Sequence, residues 1–208
     1  MSMTKAQILQ WLKNCKQIMD IQRDYLTQLD TDIGDGDHGL NMQRGFSKAL
    51  EKVATVSDKD ISTILKTVGM TLLSQVGGAS GPLYGTLFIK GSQSAVGKEE
   101  ISAEELITVL KNGVDGIVAR GRAELGDKTM CDVWLPVLAE LNAADKSQPL
   151  TQLLENAVQK AEESLVATIP MVAKKGRASY LGERSAGHQD PGATSSTYLL
   201  KALYDAVK

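Results

Sequence analysis

The chain has 208 residues, of which 42% are hydrophobic and only 4% aromatic, so a core would be built mainly from aliphatic side chains. The 23 basic and 25 acidic side chains leave a formal net charge of −2, and no basic run indicates a nucleic-acid partner. No run of 18 apolar residues is present, and polar side chains interrupt the first 16 residues. We therefore expect no membrane span, no signal peptide and a cytoplasmic location.

Apolar residues recur at the three- and four-residue spacing of amphipathic helices along almost the whole chain, whereas alternating strand patterns are essentially absent. The first predicted helix ends near Leu29, and the second begins around His38. Ser57, followed three residues later by Asp60, is the predicted N-cap of the third helix. The fourth helix runs from about residue 80 to residue 96, and its glycines predict close packing against a neighbour.

The second half of the chain continues the helical pattern. Ser102 begins the fifth predicted helix with a capping-box sequence. The sixth helix opens at Asp127 or Thr129, and the seventh follows Pro149. The final helix covers roughly residues 193–207.

Eight helices with short loops predict an all-α fold, either an antiparallel bundle or a closed helical barrel. No shift in composition marks a boundary, so residues 1–208 are predicted to form a single domain. One connection is not short, because residues 174–192 are polar, contain four glycines and have no apolar periodicity. Long irregular loops in compact domains are commonly functional, and this one carries Arg177, His188 and Asp190.

Four aspartates stand within eight residues in the stretch LDTDIGDGDHGLNMQRGF, which is too rich in glycine to be regular helix. Like charges this close repel one another unless a cation lies among them. The acidic positions do not fit an EF-hand calcium loop, and a transition metal would prefer more than the one nearby histidine. An all-oxygen set suits Mg²⁺, with Asp35 and Asp37 pointing the same way and Asp30 approaching from the end of the first helix. The alternative is a solvated acidic loop that caps the next helix.

Two glycine-rich turns, GDGDHGLN and VGGASGP, each lead directly into a predicted helix. Free N–H groups and the positive end of a helix dipole favour phosphate there, although each turn alone is also compatible with an ordinary capped turn. Together with a magnesium-type cluster, they indicate a nucleoside diphosphate or triphosphate. The stretch GRAELGDKT is not a P-loop, because Asp127 separates Gly126 from Lys128 and no strand precedes it. It is compatible instead with an inter-helix loop that lines a nucleotide pocket.

Four blocks of the chain, GDGDHGLNM, GGASGPLYGTLF, GDKTMCDVW and GRASYLGERSAGHQDPGATSS, resemble the nucleotide-binding (L) subunits of bacterial phosphotransferase-system-dependent dihydroxyacetone kinases. They occur in that family's order and near its spacing, and the likeness extends over essentially the full chain. The resemblance implies an eight-helix antiparallel barrel with tightly bound ADP or ATP and two Mg²⁺ ions at one end. It also implies that a lid, here residues 174–192, closes over the nucleotide.

The resemblance carries specific residues over to this chain. The Mg²⁺ ligands match Asp30, Asp35 and Asp37, while Asp32 falls outside the pattern. Arg177 matches a residue of the lid and is expected to act catalytically by neutralising charge as the phosphoryl group moves. The nucleotide contacts match His38, Gly39, Leu40, Asn41, Ala79, Ser80, Gly121, Met130, Arg177, Asp190, Pro191 and Gly192.

The implied activity is that of a phosphoenolpyruvate-dependent dihydroxyacetone phosphotransferase in glycerol metabolism. A phosphohistidine on a phosphocarrier subunit of the phosphotransferase system recharges the bound ADP to ATP. The γ-phosphoryl group then passes to dihydroxyacetone on a separate sugar-binding kinase subunit, giving dihydroxyacetone phosphate. The alternatives are a nucleotide-dependent regulatory or binding module without chemistry of its own, and a subunit that serves another small ketose or polyol. The sequence leaves open whether a transcription regulator is a further partner.

Overall fold

The computed structural model describes residues 2–208, and this part of the chain forms nine α-helices, one 3₁₀ segment and one pair of short strands. The all-α prediction is thereby confirmed. The helices are α1 (Lys5–Ile21), α2 (Arg23–Ile33), α3 (His38–Val53), α4 (Ile61–Gln75), α5 (Ser80–Ser92), α6 (Ala103–Gly121), α7 (Cys131–Ala143), α8 (Leu150–Ala167) and α9 (Pro191–Val207). The strands are β1 (Ser2–Thr4) and β2 (Glu100–Ser102), and the 3₁₀ segment spans Arg177–Ser185.

The helices close into a ring. From α3 to α9 each helix packs against the next in the chain, and α1 packs against both α9 and α3. α2 follows α1 directly and contacts the same two neighbours. The first predicted helix is divided because Gln22, with φ −97° and ψ 6°, leaves the helical region. Counting α1 and α2 as one interrupted rod, the described chain forms an eight-rod barrel.

Alternating helix directions place the starts of α3, α5, α7 and α9 at one end of the barrel. At the opposite end, β1 pairs antiparallel with β2, and the buried Met3 lies across from Ile101. None of the helices within residues 2–208 has the length and apolar character that crossing a membrane requires.

The barrel interior is filled mainly by aliphatic side chains, together with a few aromatic ones. Trp11 and Trp134 are buried in this core, and the thiols of Cys15 and Cys131 are also buried. The predicted close packing of the fourth helix is present where α5 crosses α4. A Cβ atom added at Gly85 would lie 2.9 Å from the carbonyl oxygen of Gly69, so the two backbones approach within contact distance.

Two predicted helix starts are wrong, and side-chain acceptors explain both. α4 begins at Ile61 because Asp60, not Ser57, accepts a hydrogen bond from the N–H of Thr63 at 3.0 Å. α7 begins at Cys131, later than Asp127 or Thr129. The preceding residues form a turn instead, since the carboxylate of Asp132 accepts hydrogen bonds from the N–H groups of Gly126 (2.6 Å) and Thr129 (2.8 Å).

The sequence predicts a long irregular loop at residues 174–192, here called the lid segment, but part of it forms the 3₁₀ turns Arg177–Ser185. The base of the segment is held by hydrogen bonds. The Ser185 hydroxyl accepts from the N–H of Ala173 at 2.8 Å, and the N–H of Gly187 donates to the carbonyl oxygen of Ile169 at 2.7 Å. The lid segment is therefore an ordered loop with a closed base.

Candidate functional site

A cavity of about 490 Å³ lies at the end of the barrel where α3, α5, α7 and α9 begin. Its walls come from all four helix starts, from the end of α6 and from the lid segment. Four helix N-termini facing one space create a strong preference for anions there. The predicted site residues that line this cavity are Asp30, Asp35, Asp37, His38, Ala79, Ser80, Gly121, Met130, Arg177, Asp190, Pro191 and Gly192.

Three residues predicted to contact nucleotide do not line the cavity. Gly39 packs against α2, Leu40 is 48% exposed on the outer surface, and the side-chain oxygen of Asn41 accepts a hydrogen bond from Arg44 at 2.6 Å. Their contact with a nucleotide stays a prediction from the resemblance.

The carboxylates of Asp30, Asp35 and Asp37 converge so that one oxygen from each lies within 4.8 Å of the others. Asp30 is in the last turn of α2 and is buried, while the other two are open to the cavity. Gly34 and Gly36 shape the connection. A Cβ atom at Gly34 would collide with the Asp30 carboxylate, and Gly36 has a φ of +73°, which favours glycine.

Asp30 also has the capping role that was the alternative explanation for the acidic segment. Its Oδ2 accepts hydrogen bonds from the N–H groups of Asp37 (2.9 Å) and His38 (3.0 Å), which begin α3. Capping engages Oδ2, and a carboxylate has a second oxygen, so the capping role is compatible with metal binding by Asp30. Three convergent hard oxygen donors at the wall of an anion-favouring cavity fit Mg²⁺, which usually binds one or two carboxylates together with phosphate oxygens.

Asp32, the fourth aspartate of the segment, lies outside this cluster. Its carboxylate accepts a hydrogen bond from Gln28 at 2.9 Å and is 3.8 Å from the imidazole of His188. His188 thus contacts the outside of α2 and does not line the cavity.

His38 is buried under the cavity between two serines. Its Nδ1 is 3.1 Å from the hydroxyl of Ser80, and its Nε2 is 2.9 Å from the hydroxyl of Ser195. Burial lowers the pKa of His38 to about 4, although the charges of Asp30 and Asp37 oppose that shift. The imidazole is therefore neutral near pH 7.

Sequence reasoning missed the apolar wall and part of the basic rim of the cavity. Leu83, Ile117 and Ala123 provide apolar surface, while Arg120 and Lys175 place positive charge nearby. Arg120 immediately precedes Gly121, a predicted nucleotide contact, so its place in the sequence was a sign that it could also line the site. The apolar residues follow ordinary helix periodicity and gave no local sign of a ligand pocket.

Lys128 is the lysine of the stretch GRAELGDKT, which is not a P-loop. It lines the cavity, but its ammonium group donates hydrogen bonds to backbone carbonyls. The side chain is 1% exposed, and Nζ donates to the carbonyl oxygens of Ile169 (3.2 Å) and Met171 (3.0 Å). Burial lowers the pKa of Lys128, an effect that the charge of Asp190 opposes. Lys128 therefore joins the loop before α7 to the base of the lid segment.

Asp190 is the N-cap of α9, and its carboxylate accepts a hydrogen bond from the N–H of Ala193 at 2.7 Å. Burial raises its pKa from 3.8 to about 7. Because the unfolded chain releases this proton at lower pH than the folded chain, the stabilising contribution of Asp190 falls as pH rises through that interval.

We expect Asp190→Asn to reduce this pH dependence, since asparagine also caps helices but does not ionise. The free energy of unfolding, measured by urea titration, should fall less steeply between about pH 4 and pH 7 in the variant. Asp60→Asn is the control. Hydrogen bonds from Thr63 and Gly97 lower the pKa of Asp60, so its effect on the free energy of unfolding changes with pH only below this interval. Identical slopes for Asp190→Asn and the unmodified chain would contradict the assignment.

Comparison with known proteins gives consistent results. The family model described as the DAK2 domain matches residues 32–205. The chain is 52% identical over 209 residues to the PEP-dependent dihydroxyacetone kinase, ADP-binding subunit DhaL, of Escherichia coli, with 100% of both chains covered. It is 44% identical to the PTS-dependent dihydroxyacetone kinase, ADP-binding subunit DhaL, of Lactococcus lactis, covering 96% of each.

A solved structure gives the same fold. The dihydroxyacetone kinase of C. freundii, in complex with AMP-PNP and Mg²⁺, superposes with a TM-score of 0.71 at 22% sequence identity. The match covers 95% of this chain and 33% of that one, so this chain corresponds to about a third of the larger kinase. Both the family model and the full-length relatives confirm the resemblance in the sequence motifs, and the chain belongs to the DAK2 domain family.

Proposed function

We propose that this chain is the ADP-binding, phosphoryl-transferring subunit of a cytoplasmic dihydroxyacetone kinase. A phosphohistidine on a phosphocarrier subunit of the phosphotransferase system converts the bound ADP to ATP. The γ-phosphoryl group then passes to dihydroxyacetone on a separate sugar-binding subunit, and dihydroxyacetone phosphate enters glycerol metabolism. The observation that carries the proposal is the cavity itself, where three convergent carboxylates and four helix N-termini meet.

Different residues around the cavity can bind the phosphates, the metal ions and the base of a nucleoside diphosphate. The starts of α3 and α5 offer N–H groups and Ser80 offers a hydroxyl to the phosphates, whereas the N–H of Ala193 at the start of α9 donates to Asp190. Asp30, Asp35 and Asp37 would hold two Mg²⁺ ions, which supply charge neutralisation for phosphate oxygens when bound. The apolar wall formed by Leu83, Ile117 and Ala123 offers a surface for a flat base.

Arg177 connects the lid segment to the acidic cluster. Its Nε is 2.8 Å from Oδ2 of Asp35, and its side chain is 65% exposed. A guanidinium group at this place can neutralise negative charge as a phosphoryl group moves, which is the larger part of catalysis in phosphoryl transfer.

We expect Arg177→Ala to slow single-turnover phosphoryl transfer by about 10- to 100-fold. Because exposed ion pairs contribute only about 0–1 kcal/mol, the thermal unfolding midpoint should hardly change. Arg184→Ala, in the same segment and also exposed, is the matched control and should transfer at the unmodified rate. Equal rates for Arg177→Ala and the unmodified chain would remove Arg177 from the mechanism.

The decisive test is reconstitution. A mixture of this chain, the phosphocarrier subunit with its phosphoenolpyruvate-driven donors, the sugar-binding subunit and dihydroxyacetone should form dihydroxyacetone phosphate only when this chain is present. ADP retention without product formation in the complete mixture would favour the regulatory or binding module instead. Replacing dihydroxyacetone by another small ketose or polyol tests the third interpretation.

Native mass spectrometry of the purified chain tests the resident ligands separately. The proposal predicts added mass that corresponds to one ADP and two Mg²⁺ ions, and loss of both after treatment with a chelator. A spectrum of the bare polypeptide in the presence of Mg²⁺ and ADP would contradict it.

A further inference from the structure

A continuous chain of side-chain hydrogen bonds lies buried beneath the cavity and connects three helices. The Tyr84 hydroxyl is 2.5 Å from that of Ser195 and 2.8 Å from that of Ser196. Ser195 in turn contacts Nε2 of His38 at 2.9 Å, and Nδ1 of His38 contacts the hydroxyl of Ser80 at 3.1 Å. The chain therefore runs from α5 through α9 and α3 back to the first residue of α5.

Most members of this hydrogen-bond chain are excluded from solvent, and one end of it reaches the cavity. Tyr84, Ser195 and Ser196 are each 0% exposed, and His38 is 6% exposed. Ser80, by contrast, is only partly buried and lines the cavity wall. The order of hydrogen bonds among the buried members thus determines what Ser80 presents to a ligand.

The direction of the hydrogen bonds follows from counting the available protons. A phosphate oxygen is only an acceptor, so Ser80 must use its single hydroxyl proton to donate to it. Ser80 then accepts from His38, which requires the proton on Nδ1. With Nδ1 protonated, the neutral ring accepts at Nε2 from Ser195 at 2.9 Å, which takes the Ser195 proton away from the carbonyl oxygen of Gly192 at 3.1 Å. Ser195 then accepts from Tyr84. Ser196 supplies the remaining proton to the Tyr84 oxygen.

We propose that Tyr84 is a positioning residue, which acts through Ser195 and His38 to hold the Ser80 hydroxyl as a hydrogen-bond donor to a phosphate oxygen of the bound nucleotide. The inference rests on the proposed function, since it assumes that the cavity binds a nucleoside diphosphate. Tyr84 touches no ligand in this arrangement. Its contribution is to select one of the two directions in which the buried chain can be ordered.

The phenol suits this task because two serine hydroxyls hold it, and the contact with Ser195 is the shortest that it makes. The carbonyl oxygen of Gly192, in the first turn of α9, lies 3.1 Å from the Tyr84 hydroxyl and is the competing acceptor for its proton. Buried networks of this kind strengthen cooperatively when every member is satisfied, and double-mutant cycles are the direct way to apportion their contribution.

The test compares binding of ADP and of adenosine to Tyr84→Phe in the presence of Mg²⁺, by titration calorimetry on protein stripped of nucleotide. ADP should bind about 3- to 10-fold more weakly, the range expected for one hydrogen bond, whereas adenosine, which has no phosphates, should bind with unchanged affinity. Tyr198→Phe is the matched control. It removes a hydroxyl that contacts Gln22 at 3.3 Å, away from the cavity, and should leave both affinities unchanged.

A second variant tests the route of the effect. Ser195→Ala interrupts the chain between Tyr84 and His38, so Tyr84→Phe should have no further effect on ADP affinity in a Ser195→Ala background. Additive losses in the double variant would overturn the relay through Ser195. If Tyr84→Phe does not fold, Ser195→Ala alone tests the same direction of the hydrogen bonds, because it should weaken the binding of ADP and leave the binding of adenosine unchanged.

The histidine ring provides a readout that does not depend on affinity. The chain has only two histidines, so ¹⁵N spectra of the ADP complex are assignable with a His188→Gln variant. We expect the proton of His38 on Nδ1, and a proton on Nε2 alone would overturn the proposed direction.

The binding outcomes separate this inference from the function on which it rests. Equal weakening of ADP and adenosine in Tyr84→Phe, or no change in either, would overturn the positioning role while leaving the proposed function intact. Failure of the unmodified chain to bind ADP would overturn the proposed function, and this inference with it.

Discussion

Asp37→Ala is expected to weaken Mg²⁺-dependent ADP binding on the order of 100-fold or more, because even partners that only orient a metal ligand are worth about 10- to 100-fold. Asp37 is one of three carboxylates whose oxygens converge within 4.8 Å. Although it is the N-cap of α3, its side chain makes no capping hydrogen bond, so the fold should persist. Titration calorimetry with ADP, beside circular dichroism for helical content, measures both effects.

Asp32→Ala is the matched control for this prediction. It removes an aspartate from the same segment, but one whose carboxylate contacts Gln28 outside the cavity. ADP should bind to this variant as to the unmodified chain. In a chelator the difference between Asp37→Ala and the unmodified chain should vanish or reverse, since Asp37 then only repels phosphate. Wild-type ADP affinity of Asp37→Ala in Mg²⁺ would show that the cluster does not hold the metal.

Gly39→Ala is expected to lower the free energy of unfolding by about 3 kcal/mol, the upper part of the range for overpacking. A Cβ atom at this position would collide with the carbonyl oxygen of Arg23 and lie 2.8 Å from the backbone nitrogen of Thr27. Both obstacles are backbone atoms of α2, so relief requires α2 and α3 to move apart. Urea-induced unfolding followed by circular dichroism measures the loss.

Gly116→Ala is the control, because its added Cβ would meet side-chain atoms of Lys90 and Thr86, at 2.8 Å in each case. Side chains can shift, and alanine gains up to about 1 kcal/mol in helix propensity over glycine, so we expect a change within about 1 kcal/mol. Equal stabilities of the two variants would contradict the close approach of α2 and α3. The result also bears on Gly39 as a predicted nucleotide contact, since the structure gives it a packing role.

Most of the helices, and the acidic cluster beside a helix N-terminus, could be predicted from local sequence. Helix periodicity and the Ser102 capping box depend on residues three or four positions apart, and both are present in the structure. The three aspartates of the acidic cluster and the start of α3 lie within nine residues of one another. Short-range physics therefore sufficed to predict an acidic cluster beside a helix N-terminus.

The errors came from side chains whose partners could not be chosen from local spacing. Ser57 and Asp60 are both acceptable N-caps, and only the backbone conformation selected Asp60. Residues 174–192 have no apolar period, but the hydroxyls of Ser179 and Ser185 donate to backbone carbonyl oxygens within the segment and support its 3₁₀ turns. In both cases several hydrogen-bonding solutions were compatible with the sequence.

The sequence by itself determined that the chain is helical, that it carries an acidic cluster suited to Mg²⁺, and that glycine turns precede helix starts beside it. Tertiary structure alone decided that four helix starts share one end, that Lys128 turns away to backbone carbonyls, and that Tyr84 reaches Ser195, 111 residues further along the chain. The physical reason is range. Caps, turns and charge repulsion act between neighbours in sequence, whereas closure of the ring brings together side chains that no local pattern relates.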